Sequence, residues 1–107
     1  MRLVHKYGGS SVATTEKIMA IARRAAELRR QGTNLVVVCS AMGKTTNGLI
    51  ALAKKVNPAP SKREMDALLS TGEVQTVSLM AMALQSLGVD AISMTGLQAG
   101  FITNDGH

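Results

Sequence analysis

The run Leu35–Cys39, with the sequence LVVVC, constrains the fold of this chain more than any other segment. It is apolar and rich in β-branched residues, and it lacks the alternation of apolar and polar residues that marks a strand with one solvated face. Such runs are typical of parallel strands that are buried on both faces. Because parallel strands need a crossover connection, usually a helix, we expect an α/β fold.

A strand and a helix precede this run. Residues 2–7 predict a short strand, and from about Val12 to Arg30 apolar residues recur at close to the 3.6-residue period of a helix. The pairs Ser10/Ser11 and Thr14/Thr15 offer N-terminal caps for this helix, and Gly32 follows as a C-terminal cap. Strand, helix and strand in this order predict a right-handed βαβ unit at the start of the chain.

The second half of the chain is predicted to be mainly helical. A short helix is expected from about Gly48 to Val56, and a longer helical pattern runs from Lys62 to Leu87. Gly72 interrupts the longer pattern, which predicts either two helices or one kinked helix. Residues 91–95 then predict a third short strand, which leads into a loop at residues 96–100.

Composition and charge indicate a folded domain. The 107 residues are 46% apolar and 18% charged, which argues against disorder, and the net charge is +5. Tyr7 and Phe101 are the sole aromatic residues, too few for a base-stacking platform. Four basic residues cluster on the first helix, where a solvated face is the favoured interpretation and nucleic-acid binding the alternative: Arg23, Arg24, Arg29 and Arg30.

Cysteine usage and the N-terminal sequence predict a location. Cys39 is the single cysteine, which excludes an internal disulfide and fits a reducing compartment, and its apolar neighbours predict a buried side chain. The N-terminus does not resemble a signal peptide, and no run approaches the roughly 20 apolar residues of a membrane span. We therefore expect a soluble cytoplasmic protein that binds neither membrane nor nucleic acid.

Three predicted strand ends carry the candidate binding residues. Ligands of open α/β sheets bind at the carboxyl ends of the strands, and here those ends lead into residues 6–11, 40–47 and 95–100. Each of these segments is rich in Gly, Ser, Thr or Lys, although a plain turn between a strand and a helix uses the same residues. The coincidence of three such ends favours a ligand site.

The stretch from Lys6 to Ser11 predicts a phosphate cradle. Gly8 and Gly9 allow positive φ angles and let a bulky anion approach the backbone. Ser10 and Ser11 are expected at the N-terminus of the first helix, where the helix dipole favours negative charge, and Lys6 adds a positive charge beside them.

Two other motifs have competing interpretations. The segment Gly43–Thr45 copies the end of a Walker A loop, but the glycine required five positions earlier is replaced by Val38, so a P-loop is rejected. The segment Ser70–Glu73 fits a capping box, with a substrate-binding role for Glu73 as the alternative. His5 and His107 lack metal-ligand spacing with other ligand residues, so no metal site is predicted.

Four segments resemble the motifs of the aspartate kinases, which are members of the amino-acid kinase family. They are, in chain order, KYGGSSV, VVVCSAMGKTTNGLI, REMDALLSTGE and SMTGLQAG. The resemblance implies a three-layer αβα sandwich with a mainly parallel sheet, of which residues 1–107 are the N-terminal part. On this basis we expect the ATP-binding half of the kinase domain and the regulatory ACT domains to lie outside the chain.

The resemblance also implies an activity and roles for individual residues. It implies transfer of the γ-phosphoryl group of ATP, bound with Mg²⁺, to the β-carboxylate of L-aspartate, with Lys6 as a catalytic residue. The residues expected to bind ATP and its phosphates are Lys6, Tyr7, Gly8, Gly9, Ser10 and Ser40. Those expected to bind aspartate are Thr46 and Glu73, the latter at the α-amino group.

Three alternatives remain open at this point. Another kinase of the same fold, acting on acetylglutamate, carbamate or uridylate, is disfavoured by the segments REMDALLSTGE and TGLQAG. A P-loop-like nucleotide-binding module is disfavoured by Val38, and a non-enzymatic basic domain would use the arginine face of the first helix. Because an incomplete parallel sheet exposes a strand edge, we also expect a homo-oligomer or a self-associating chain.

Overall fold

The computed structural model describes residues 2–94, which fold into two strands and three helices. In chain order the elements are β1 (Arg2–Tyr7), α1 (Thr15–Arg30), β2 (Asn34–Cys39), α2 (Gly43–Val56) and α3 (Lys62–Ser86). The two strands pair in parallel, and their register joins Arg2 to Asn34 at one end and Tyr7 to Cys39 at the other. The predicted α/β class and the predicted order of strand, helix and strand are confirmed.

Helix α1 begins three residues later than the apolar pattern predicts. Thr14 is its N-cap, and the Oγ1 atom of Thr14 accepts a hydrogen bond of 3.2 Å from the backbone N–H of Lys17. Ser11 lies in the preceding turn, where its N–H donates to the carbonyl of Gly8 at 3.1 Å. Of the predicted N-cap candidates, Thr14 is therefore confirmed. The expectation that Ser10 and Ser11 lie at the helix N-terminus is wrong, because they lie in the turn before the cap.

Helices α1 and α3 pack on the same face of the sheet. Tyr7 and Val37 on that face contact a core of small and aliphatic side chains: Val12, Ile18, Ala22, Cys39, Met80 and Ala83. On the opposite face, here called the outer valine face, Val4, Val36 and Val38 are 59%, 48% and 42% exposed. Strand side chains alternate between faces, and the described helices cover one face, so the expected burial of β2 on both faces does not hold within residues 2–94.

Helix α2 begins at Gly43, five residues earlier than predicted. Its N-cap residue, Met42, makes no side-chain hydrogen bond to the first turn, so the start carries none of the usual capping signals. Residues 40–47, expected to form a loop, are therefore irregular only as far as Met42. Among the described elements, α2 packs against α3.

Helix α3 is one continuous helix of 25 residues that passes through Gly72. A Cβ atom at Gly72 would lie 2.9 Å from the Cβ atom of Ala41 and 3.3 Å from Cγ2 of Thr45. The glycine therefore permits a close approach of α3 to the loop before α2. Of the two predicted alternatives, two separate helices are wrong, because tertiary packing outweighs the roughly 1 kcal/mol by which glycine disfavours a helix.

The N-terminal cap of α3 lies nine residues before the predicted one. Ser61 is the N-cap, and its Oγ atom accepts a hydrogen bond of 3.3 Å from the N–H of Glu64. Ser70 lies inside the helix, where its Oγ donates to the carbonyl of Ala67 at 2.7 Å. The capping interpretation of Ser70 and Glu73 is therefore wrong, and the S-x-x-E spacing that begins the helix is the one at Ser61.

A glycine follows the end of α1 and of α3, whereas residues 91–94 do not form the predicted third strand. Gly32 and Gly88 have φ angles of +91° and +82° and follow the two helices. The side-chain amide of Gln85 donates to the carbonyl of Ala91 at 3.0 Å. In a strand, this carbonyl would instead accept a hydrogen bond from a neighbouring strand. Thr95 and the predicted loop at residues 96–100 lie outside the described residues.

Helix α3 is long and apolar enough, by length and composition alone, to cross a membrane. The sequence criterion counted uninterrupted apolar residues, whereas α3 reaches its mean hydropathy with polar residues included. One of these, Thr76, is fully buried, and its hydroxyl donates to the carbonyl of Gly72 at 3.1 Å. Because core helices of soluble proteins meet the same criterion, and α3 supplies Met80 and Ala83 to the core, the criterion is weak evidence for a membrane span.

Candidate functional site

An open cleft of about 410 Å³ lies where the carboxyl ends of β1 and β2 meet the first turns of α2 and the middle of α3. Three separate parts of the chain line it: Gly9, Ser40, Ala41, Gly43, Thr46, Asn47, Leu69 and Glu73. Four of these are candidate residues from the sequence: Gly9, Ser40, Thr46 and Glu73. The structure therefore brings both strand ends and the STGE segment to one place, as expected of a ligand site in an α/β sheet.

Two strand ends form one wall of the cleft in close contact. The N–H of Ser40 donates to the carbonyl of Tyr7 at 3.0 Å, which extends the parallel pairing one residue beyond β2. A Cβ atom at Gly9 would lie 3.0 Å from the carbonyl oxygen of Ala41 and 3.4 Å from the nitrogen of Gly43. Gly9 does not have a positive φ angle. Glycine is required at this position because the backbone of Ala41 and Gly43 lies so close to it. It is not required, as had been expected, for a left-handed conformation.

The N-terminus of α2 is the electropositive part of the cleft. The first turn of α2 has neither a capping side chain nor an acidic residue, and it contains Lys44 instead. A cation at a helix N-terminus is disfavoured by the helix dipole, whereas an anion is favoured. Two hydroxyl residues, Ser40 and Thr46, line the cleft beside this turn. Uncapped N–H groups and hydroxyls are donors that bind phosphate and carboxylate groups.

Glu73 supplies negative charge from the α3 side. Among the described residues that line the cleft, it is the one with an ionisable side chain. It is exposed and has no hydrogen bond or ion pair with the part of the chain that the structure describes. A carboxylate on one side and an uncapped helix N-terminus on the other form a site suited to a zwitterion. Its ammonium would face Glu73 and its anionic group would face α2.

The other candidate residues from the first strand end do not line this cleft. Tyr7 and Ser10 line a second depression of about 460 Å³, where Nζ of Lys17 donates to the carbonyl of Ser10 at 2.9 Å. Lys6 is exposed and pairs in register with Val38, which places it on the outer valine face. Gly8 lines neither depression. The roles assigned to these four residues remain predictions.

The structure adds lining residues that sequence reasoning missed. Asn47 follows Thr46 in the first turns of α2, and Leu69 lies four residues before Glu73 on α3. Residues four apart share one face of a helix, so a continuous α3 would have predicted Leu69 on the same face as Glu73. The predicted alternatives at Gly72, two helices or one kinked helix, left that relation undetermined.

Neither a metal cluster nor a cysteine nucleophile is evident in residues 2–94. No group of three or more metal-binding side chains of the His, Cys, Asp or Glu type occurs within this range. Cys39 is buried in the core, and desolvation there raises the pKa of its thiol. A buried thiol with a raised pKa is protonated at neutral pH, so Cys39 is a packing residue.

Comparison with known proteins agrees with this arrangement. Residues 1–107 match the profile of the amino acid kinase family. Aspartokinase 2 of Bacillus subtilis (strain 168) is 53% identical over 105 residues, which are 98% of this chain and 26% of that protein. The aspartokinase of Mycolicibacterium smegmatis is also 53% identical over 105 residues, which are 98% of this chain and 25% of that protein. The chain thus spans about a quarter of the length of these curated relatives.

A solved structure extends the similarity to three dimensions. The crystal structure of aspartate kinase from Synechocystis superposes with a TM-score of 0.82 and 48% sequence identity. The match covers 86% of this chain and 16% of that chain. Profile, sequence and structure agree over nearly the whole chain, and the chain therefore belongs to the amino acid kinase family.

Proposed function

We propose that the protein in which this chain occurs is an aspartokinase. It transfers the γ-phosphoryl group of ATP to the β-carboxylate of L-aspartate. The observation that carries the proposal is the meeting of four predicted residues in one cleft: Gly9, Ser40, Thr46 and Glu73. They lie in segments that resemble aspartate kinase motifs. The 53% sequence identity to two relatives named aspartokinases supports the same activity.

The reaction needs positioning and charge stabilisation more than acid–base chemistry. A β-carboxylate oxygen of aspartate forms a bond to the γ-phosphorus, and the bond from that phosphorus to the bridging oxygen breaks. The electron pair of that bond leaves with ADP, and 4-phospho-L-aspartate remains. Because the attacking carboxylate is already ionised, no general base is required. Catalysis then depends on alignment of two anions and on stabilisation of the charge on the transferred group.

The cleft offers distinct groups to the two substrates. Gly9 and Ser40 are the proposed phosphate contacts, and ATP carries the Mg²⁺ ion with it as part of the substrate complex. Thr46 and Glu73 are the proposed aspartate contacts, with Glu73 at the ammonium group, which suits its exposed and unpaired carboxylate among the described residues. Lys6, exposed at the end of β1, is the proposed cation for the developing phosphoryl charge.

Tyr7, Gly8 and Ser10 keep a proposed role in binding ATP through the turn that contains Gly9. The remaining ATP contacts, above all the adenine pocket, are proposed to lie outside residues 1–107. We further propose a cytoplasmic enzyme at the entry to lysine, threonine and methionine biosynthesis, assembled as a homo-oligomer and independent of nucleic acid and membrane.

Trapping of the acyl phosphate tests the proposal directly. The complete protein in which this chain occurs is incubated with Mg²⁺, ATP and one acceptor at a time, and hydroxylamine converts any acyl phosphate into a coloured hydroxamate. We expect a hydroxamate with L-aspartate and none with N-acetylglutamate, and no ADP release with carbamate or uridylate. A hydroxamate from N-acetylglutamate but not from aspartate would assign the protein to another acceptor and overturn the proposal.

A further inference from the structure

Ala41 lies between the two sides of the cleft and contacts both. Its carbonyl oxygen faces Gly9, where an added Cβ atom would lie at 3.0 Å. Its own Cβ atom faces Gly72, where an added Cβ atom would lie at 2.9 Å. Ala41 itself is buried. One small residue therefore touches the turn after β1 through its backbone and α3 through its side chain.

These contacts leave no room for an extra methyl group. Packed carbon atoms normally lie about 3.5–4.0 Å apart, so an alanine at Gly72 requires a displacement of about half an ångström. Cγ2 of Thr45 at 3.3 Å and Cδ1 of Leu49 at 3.6 Å limit the directions in which α3 can move. At Gly9 the obstacle is backbone, which cannot rotate away as a flexible side chain can.

A displacement at each glycine moves a different part of the cleft. Glu73 follows Gly72 directly in α3, so a shift of α3 changes its distance from Thr46 and the N-terminus of α2. A shift at Gly9 instead moves the turn that follows β1, on the side of the cleft that Ser40 completes. Both shifts are transmitted through contacts with Ala41.

We propose that Ala41 is a positioning residue that sets the separation between the phosphate side and the amino-acid side of the cleft. Gly9 and Gly72 are the two positions against which it packs, and each controls one substrate. The inference rests on the proposed function for the identity of the two substrates. The contacts themselves do not depend on that function.

Substitutions in the complete protein test the inference through the two Michaelis constants. Gly72→Ala is expected to raise KM for aspartate about tenfold and to leave KM for ATP within about twofold, because small misplacements of a binding group are costly. Gly9→Ala is expected to do the reverse. Ala41→Gly removes the Cβ atom that obstructs Gly72→Ala but retains the carbonyl that obstructs Gly9→Ala. Ala41→Gly is therefore expected to restore KM for aspartate when it is combined with Gly72→Ala. Combined with Gly9→Ala, it is expected to leave the raised KM for ATP unchanged.

Gly48→Ala is the matched control. Gly48 lies in α2, and an added Cβ atom there has no neighbour within 4 Å. Both Michaelis constants are expected to stay unchanged. Equal shifts of both constants in Gly72→Ala, or failure of Ala41→Gly to restore KM for aspartate, would overturn the inference.

A melting-temperature cycle separates this inference from the proposed function. Gly72→Ala is expected to lower the melting temperature and Ala41→Gly to recover most of the loss, whatever the protein phosphorylates. If the unmodified protein lacks aspartate kinase activity but Ala41→Gly still recovers the melting temperature of Gly72→Ala, the proposed function is refuted and the inference about Ala41 stands. Without recovery the inference fails, whether or not the protein is active.

Discussion

Replacement of Glu73 by glutamine tests whether the carboxylate of Glu73 binds the ammonium group of the substrate. The substitution removes one negative charge and keeps the length and shape of the side chain. Glu73 lies within α3, twelve residues after the N-cap Ser61, and it is exposed. Glutamate and glutamine have nearly the same helix propensity. The free energy of unfolding is therefore expected to change by no more than about 0.5 kcal/mol.

The expected loss of aspartate binding follows from the charge of the contact. A hydrogen bond to a charged group contributes about 1.5–3 kcal/mol, and each 1.4 kcal/mol corresponds to about a tenfold change in affinity. Because Glu73 is exposed, the lower end of this range applies to it. We expect KM for aspartate to rise about tenfold, and KM for ATP to stay within about twofold.

Steady-state kinetics of the complete protein, with ADP release measured at varied aspartate and then at varied ATP, provide the assay. Glu64→Gln is the matched control, because Glu64 lies in the first turn of the same helix and does not line the cleft. It is expected to leave both Michaelis constants unchanged. An unchanged KM for aspartate in Glu73→Gln, or an equal rise of both constants, would refute the assignment of Glu73 to the substrate ammonium.

Three further predictions concern residues outside the cleft. Lys6→Ala is expected to lower kcat about 100-fold with little change in melting temperature. Steady-state turnover equal to that of the unmodified protein would refute the catalytic role proposed for Lys6. Burial raises the pKa of the Cys39 thiol, so the folded state favours the protonated thiol. The corresponding stability is complete below the ordinary cysteine pKa of about 8.5 and is lost as pH rises above it. Cys39→Ala is therefore expected to flatten the fall in unfolding free energy between about pH 8 and pH 10 in urea titrations, and an unaltered slope would contradict this. Residues 1–107 expressed alone are expected to form dimers or larger species by light scattering and to give no hydroxamate with aspartate. We expect the exposed outer valine face to contribute to this association, so threonine at Val36 and Val38 should raise the monomer fraction. A monomeric unmodified chain would refute self-association through this face.

Much of the local structure was determined by the sequence alone. The apolar run at residues 35–39 predicted β2, the helical period predicted α1, and Gly32 marked the end of that helix. These features are predictable because they depend on apolar β-branched composition, helical period and cap chemistry within a few residues. The motifs contain all eight residues that line the cleft, and four of these were named as candidates from the sequence.

Features that depend on packing between distant segments were decided by the tertiary structure. Local chemistry predicts a break or a kink at Gly72, but contact with Ala41 makes glycine the residue that fits there. Two S-x-x-E segments satisfy the capping pattern equally well, and the one at Ser61 begins α3. The pattern cannot choose between them, because the choice depends on where the packed helix starts.

The two faces of the sheet and the cleft show the same division. Lys6 and Tyr7 are adjacent in β1, so alternation alone places them on opposite faces of the sheet. Which face receives the helices, and therefore which of the two residues becomes part of the core, depends on how α1 and α3 pack. Glu73 lines the same cleft as Ser40 and Thr46 because Gly72 lets α3 pack closely against Ala41, which lies just after β2. Local sequence specifies strands and helices, whereas the close contacts that assemble the cleft exist only once segments more than twenty residues apart are packed together.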